Sequence, residues 1–306
     1  MRIGLGLAAL GRPGYLTLGH GRDLGPDRSV RALEQRVHAM LDSAHAAGVR
    51  HFDVARSYGR AEEFLASWLE EREIRPGHVT VASKWGYTYT ARWRVRADPP
   101  EVKDLSVEAF RRQLVETRSR LGPWLSLYQI HSATVSSGVL DDEALRADLA
   151  DLRATGVAVG LTVTGTEQAA TIEHALEVGG FDAVQATWNL HERSAGPALA
   201  RARATGVRTV VKEAVANGRL TDRGAPEQLT RVARRLGTTT DAVAIAAVLA
   251  EPWADVVLSG AATIAQLRAN LASLEIRWDD SVARDLEALA EPADRYWSTR
   301  AALPWN

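Results

Sequence analysis

The chain has 306 residues, of which 46% are hydrophobic and 25% charged, with a formal net charge of −1. That is enough for one large, fully cored α/β domain, and the near-neutral balance excludes the basic footprint of a nucleic-acid binder. The absence of cysteine excludes disulfides, thiolate zinc sites and cysteine nucleophiles.

No stretch approaches the roughly 18 apolar residues of a membrane span, and the Met1–Gly6 opening lacks the apolar core of a secretory leader. A cytoplasmic protein without membrane attachment is expected.

A first strand is expected at Ile3–Leu7. Its Gly4-x-Gly6-x-x-Ala9 imitates a Rossmann fingerprint, which needs a helix directly afterwards to hold a pyrophosphate. Gly11, Pro13 and Gly14 follow instead, so a strand running into a loop over 11–27 is the better reading. Ser29–Ala47 then sets Val30, Leu33, Val37, Leu41 and Ala44 at helical spacing. Strands follow at Val49–Asp53 and Val79–Ser83, and an irregular segment over 85–104. Ser106 is placed to cap a helix carrying Val107, Phe110, Leu114 and Leu121, with Gly122 beyond its end.

Leu127–His131 is the fourth strand. Asp141 or Asp142 opens a helix that stops at Gly156. Strands at Ala158–Thr162 and Ala183–Thr187 follow, and Pro197 suits the first turn of a helix that exits at Gly206. Thr209–Val211 and Asp255–Leu258 complete eight strands. A helix over Thr263–Leu274 and a tail from about residue 291 close the chain.

Three times a helix runs out through a small residue into Gly-Val and a strand: Ala47-Gly48-Val49, Thr155-Gly156-Val157 and Thr205-Gly206-Val207. Glycine turns the chain there at little cost. Eight apolar strands joined by helices predict an α/β fold, a (β/α)8 TIM barrel spanning 1–306 as a single domain.

In such a barrel the chemistry collects at the carboxyl ends of the strands. Asp53, Lys84 and His131 end successive predicted strands, and Tyr58 follows Asp53 by five residues. Acid, phenol, ammonium and imidazole in one cavity are suited to passing a proton. Each also has a bland reading: a barrel-mouth cap, a loop aromatic, a solvated strand end and a core histidine.

The ordered segments around these residues resemble the aldo-keto reductase family. They are His51-Phe-Asp53-Val-Ala-Arg-Ser-Tyr58-Gly59, Ser83-Lys84-Trp85-Gly86, Tyr128-Gln-Ile-His131, Val159-Gly160-Leu-Thr162, Val184-Gln185-x-x-Trp188-Asn189, Gly218-Arg-Leu220 and Ser259-Gly260-Ala261-x-x-x-x-Gln266-Leu267-x-x-Asn270. The resemblance implies a barrel that binds NADP(H), or less often NAD(H), and interconverts a carbonyl and an alcohol of a small-molecule substrate by hydride transfer. It makes Tyr58 the proton donor, Lys84 the cation expected to lower the Tyr58 pKa, Asp53 the partner of Lys84, and His131 the donor that orients the substrate oxygen. No metal is implied.

The resemblance also implies a cofactor set. Gln185 and Thr162 match contacts to the nicotinamide carboxamide, although Val163 stands where the family usually has Asn. Lys212 occupies a place often held by a stacking aromatic; Lys212 and Glu213 read either as an ion pair at the rim or as a cofactor or substrate contact. Ser259, Gly260 and Ala261, with Gln266 and Asn270 on the next helix, match the adenosine-phosphate end. Gln266 and Ala269 replace the usual basic and acidic residues there.

Nine Trp are present. Trp85, Trp93 and Trp188 are expected to wall the substrate site, with Tyr87 and Tyr89 beside it and Trp297 and Trp305 in the tail. Trp68, Trp124 and Trp278 are read as packing residues, and Arg92, Arg94 and Arg96 as a solvated face, with attraction of an anionic substrate as the alternative. Two competing readings are a non-catalytic cofactor-binding partner protein on the same fold and, last, a metal-dependent barrel hydrolase.

Overall fold

The computed structural model describes residues 1–306. Its strands are β1 (Ile3–Gly6), β2 (His51–Asp53), β3 (Thr80–Trp85), β4 (Tyr87–Tyr89), β5 (Glu101–Lys103), β6 (Leu125–Ala133), β7 (Ala158–Val163), β8 (Ala183–Thr187), β9 (Arg208–Lys212) and β10 (Val256–Ser259). Eight of these close a parallel barrel in the order β1-β10-β9-β8-β7-β6-β3-β2, and β4 and β5 form a separate antiparallel pair. The predicted (β/α)8 barrel is therefore the fold. No helix is long and apolar enough to cross a membrane.

Local sequence explains the joints. The helix Val30–Ala46 starts where the Ser29 hydroxyl accepts from the Ala32 amide at 3.3 Å, and it buries Leu33, Val37, Met40, Leu41 and Ala44. Ser106 caps Val107–Leu121 in the same way, and Asp142, not Asp141, caps Glu143–Ala154. Each such cap contributes about 1 kcal/mol. Gly48, Gly156 and Gly206 take φ of 91°, 90° and 88°, the left-handed turn that the repeat requires.

Strand register fixes the site. His51–Asp53 lies beside Thr80–Ala82, and Lys84 pairs with Gln129 on β6. Asp53, Lys84 and His131 thus occupy three neighbouring strands at one end of the barrel. Leu5, Phe52, Val81, Ile130, Leu161 and Val184 alternate with the site residues along the strands and are fully buried in the core shared with the helices. Complete burial of such a side chain stabilises by about 1.5–3 kcal/mol.

The segments read as irregular hold structure. Residues 11–27 include the short helix His20–Leu24, 85–104 carries the β4–β5 hairpin, and the tail contains the helix Ala293–Ala301.

Candidate active site

A cavity of about 230 Å³ opens at the carboxyl end of the barrel; Gly6, Arg12, Tyr15, Asp53, Tyr58 and His131 line one part of it, and Gln185, Lys212, Glu213, Ser259, Gly260 and Arg300 another. At its base Lys84 donates from Nζ to Asp53 Oδ1 and to the Val54 carbonyl at 2.9 Å. Lys84 and Asp53 are 1% and 2% exposed, so this ion pair is held almost dry. Gln185, from across the barrel, donates to Asp53 Oδ2 at 3.0 Å. Both carboxylate oxygens are therefore engaged.

Tyr58 stands above this pair. Lys84 Nζ lies 4.9 Å from its ring centroid. The Tyr58 and His131 rings meet edge to face at 5.6 Å, and Tyr87 meets His131 at 4.9 Å. The structure thus brings together all four residues that the sequence singled out.

The electrostatics differ from expectation in one respect. Tyr58 was expected to be acidified by Lys84, yet its pKa is raised well above the usual phenol value, first by burial and next by the Asp53 carboxylate. Asp53 has claimed the Lys84 charge, so the ammonium does not dominate at the phenol. Tyr58 is accordingly a proton holder at neutral pH. His131 is pushed well below its ordinary pKa by burial and then by Lys84, Lys212, Arg12 and Lys103, which makes it a neutral imidazole. Lys84 is itself lowered by burial, against the opposing pull of Asp53.

The far wall is an ion-paired latch. Arg300 on the tail helix grips Glu213 from Nε at 2.8 and 3.0 Å, and Tyr296 donates to Glu213 at 3.4 Å. Burial alone would raise Glu213, but Arg300 and then Lys212 hold it down to about 2. Glu213 pairs with Arg300 rather than with its neighbour: Lys212 Nζ instead donates to the Thr187 hydroxyl at 2.8 Å. Ser132, Glu213 and Asn217 all line the cavity with positive φ of 59°, 58° and 54°. Strain of this kind costs on the order of 1 kcal/mol per residue and collects at functional sites.

A second cavity, of about 430 Å³, continues from the first across Ala9, Thr17, Val215 and Gly260, which border both. Ala261, Gln266 and Asn270 line it, as does Asp241. It ends against the helix Ile264–Leu271, capped by Thr263. Gln266 Oε1 accepts from the Ala262 amide at 2.8 Å. With its carboxamide oriented to satisfy both ends, Asn270 accepts from the Ser259 hydroxyl and donates to Asp241 at 2.7 Å.

Four sequence expectations are corrected. Trp85 is fully buried against Phe110, at 5.2 Å between centroids, and not in the cavity. Trp93 packs on Phe64 and donates to the Arg28 carbonyl. Trp188 packs on Trp253. The Thr162 hydroxyl accepts the Ser132 amide at 2.7 Å, and Thr164 lines the cavity in its stead. Cavity walls missed by the sequence reading are Arg12, Tyr15, Glu101 and Arg300; of these only Arg12 carried a signal, between Gly11 and Gly14.

Comparison with known proteins accords with this fold. The aldo/keto reductase family profile matches residues 2–291, and the chain belongs to that family. A curated relative, aldo-keto reductase str7 from Strobilurus tenacellus, is 33% identical over 102 residues; the match spans 33% of this chain and 29% of that protein. Among solved structures, an aldo-keto reductase from Bacillus halodurans in its holo form superposes with a TM-score of 0.72 at 20% identity, covering 95% of this chain and 93% of its own. The glycerol dehydrogenase of Gluconobacter oxydans gives 0.69 at 20% identity over 94% and 90%. These two likenesses speak for the fold.

Proposed function

We propose that the protein is an NAD(P)(H)-dependent oxidoreductase that interconverts a small carbonyl compound and its alcohol. The observation that carries this reading is the convergence of Tyr58, His131 and the buried Asp53–Lys84 pair on one cavity. A nicotinamide cofactor, when bound, supplies the hydride.

The cleft suits such a group. Two joined cavities make an elongated site, Gly260 has open space where a side chain would stand, and Ala261, Ala262, Ala265 and Ala269 keep the second cavity open. The first turn of Ile264–Leu271 offers free amides to a phosphate. Gln185, Lys212, Ser259, Gly260, Ala261, Gln266 and Asn270 would hold the cofactor. Thr162 would act only through the Ser132 amide that it already accepts.

In reduction, neutral His131 orients the carbonyl oxygen as a hydrogen-bond donor, and Tyr58 Oη delivers a proton to it. The raised phenol pKa suits this direction, because an alkoxide is far more basic than a phenolate. Lys84 and Asp53 hold the base of the site rigid and neutral overall. Gln185 keeps Asp53 oriented.

Tyr58→Phe tests the reading. NADPH and NADH binding, followed by quenching of Trp fluorescence, should survive, and turnover of an aldehyde should fall by at least ~10²-fold. Turnover at the parent rate would remove Tyr58 from the mechanism. Failure of the parent protein to bind either nucleotide would favour a non-catalytic partner protein.

A further inference from the structure

Arg12 stands outside the four-residue group, yet it is built into the same site. It is 2% exposed. Its guanidinium carbon lies 5.3 Å from the Tyr58 ring centroid, 5.0 Å from that of Tyr15 and 4.5 Å from that of Trp305. Nη1 donates to the Ser57 carbonyl at 3.0 Å and to Glu101 at 2.8 Å. Nε is buried without a partner.

The backbone has been shaped to bring this residue to the phenol. A Cβ on Gly11 would lie 2.2 Å from the Tyr58 carbonyl oxygen. A Cβ on Gly59 would lie 2.4 Å from the Gly11 oxygen and 2.9 Å from Arg12 Cβ, and Gly59 also has φ +62°. The Arg60 amide donates to the Gly11 carbonyl at 2.8 Å. Only glycine at both positions lets the loops after β1 and β2 touch. Their contact sets Arg12 against Tyr58.

We propose that Arg12 is a fifth member of the reaction centre, a positioning residue that clamps Tyr58 and supplies positive charge to its phenol as the proton leaves. The inference rests on the carbonyl-reductase reading. In the step concerned, the Tyr58 O–H bond breaks and an O–H bond forms on the substrate oxygen. The electron pair stays on the phenolate; the hydride that reduces the carbonyl carbon would be supplied by a bound nicotinamide cofactor.

Lys84 cannot fill this role alone, because Asp53 takes up its charge. The groups around the phenol are Asp53 on β2, Lys84 on β3, His131 on β6, Tyr87 and Glu101 on the hairpin, Tyr15 beside Arg12, and Lys212, Glu213 and Arg300 on the far wall. Among them Arg12 is the leading influence that favours the phenolate, and it outweighs its own partner Glu101.

The test reads the phenol directly. Polyfluorinated tyrosine is incorporated so that the phenol titrates where the protein is stable, and its fluorine resonance is assigned with Tyr58→Phe. Arg12→Met should raise the Tyr58 titration by roughly one pH unit, the scale of a unit charge at this separation partly offset by Glu101. Glu101→Gln should lower it, and Arg12→Lys should stay near the parent. An unmoved titration in both Arg12→Met and Glu101→Gln overturns the proposal. If Arg12→Met does not fold, Arg12→Gln, which can still donate to the Ser57 carbonyl and to Glu101 but carries no charge, decides: an upward shift supports the role and no shift overturns it. Absence of carbonyl reduction by the parent would count against the reductase reading only, since the phenol titration needs no turnover.

Discussion

Replacing Lys84 by Met removes the ammonium and leaves a buried carboxylate behind. Asp53 would keep one hydrogen bond, from Gln185 at 3.0 Å, with its side chain 3% exposed. Breaking one partner of a buried pair typically costs about 3–5 kcal/mol. For a domain of this size that is a fall in Tm on the order of 10 °C. Thermal unfolding followed by far-UV circular dichroism measures it. Asp53→Asn combined with Lys84→Met should cost less than the sum of the single changes, because the double variant buries no lone charge. A single variant within about 2 °C of the parent, or strictly additive losses, would refute the coupled buried pair.

Burial pulls Lys212 down to about 8, against the attraction of Glu213. A cavity cation is thus lost as pH rises past that value: the KM of a carboxylate-bearing aldehyde should climb above pH 8, that of an uncharged aldehyde should not, and Lys212→Met should abolish the difference. Glu213→Gln should release Arg300 and with it the tail helix Ala293–Ala301. Limited proteolysis should then cut within 293–306 faster than in the parent, and an equal rate would show that the latch does not hold the tail.

The barrel was legible because its strands are apolar runs punctuated by Gly-Val joints, a local signal. Asp53, Lys84 and His131 were legible because strand ends define where side chains converge. The aromatic walls were not. Trp85, Trp93 and Trp188 lie near the motif residues in sequence, but side chains alternate along a strand, so a neighbour of Lys84 points into the packing layer. The Tyr58 environment also escaped, since proximity of Lys84 said nothing of how firmly Asp53 binds it. Arg12, Glu101 and Arg300 come from the loop after β1, the β4–β5 hairpin and the tail helix, whose places are set by tertiary contact.

The barrel closes through β1 against β10, with Ile3 opposite Val257 and Leu5 opposite Ser259, and with Arg2 reaching the Ala254 carbonyl at 2.9 Å. During synthesis, β1 therefore waits with one open edge while some 250 further residues emerge. Asp53, Tyr58, Lys84 and His131 are all made in the first half of that interval, whereas Ser259 and Gly260 arrive at its end. A ribosome stalled midway would hold the proton-transfer residues without the cleft beside them, and a nascent-chain protease assay should find β1 protected only once β10 is free.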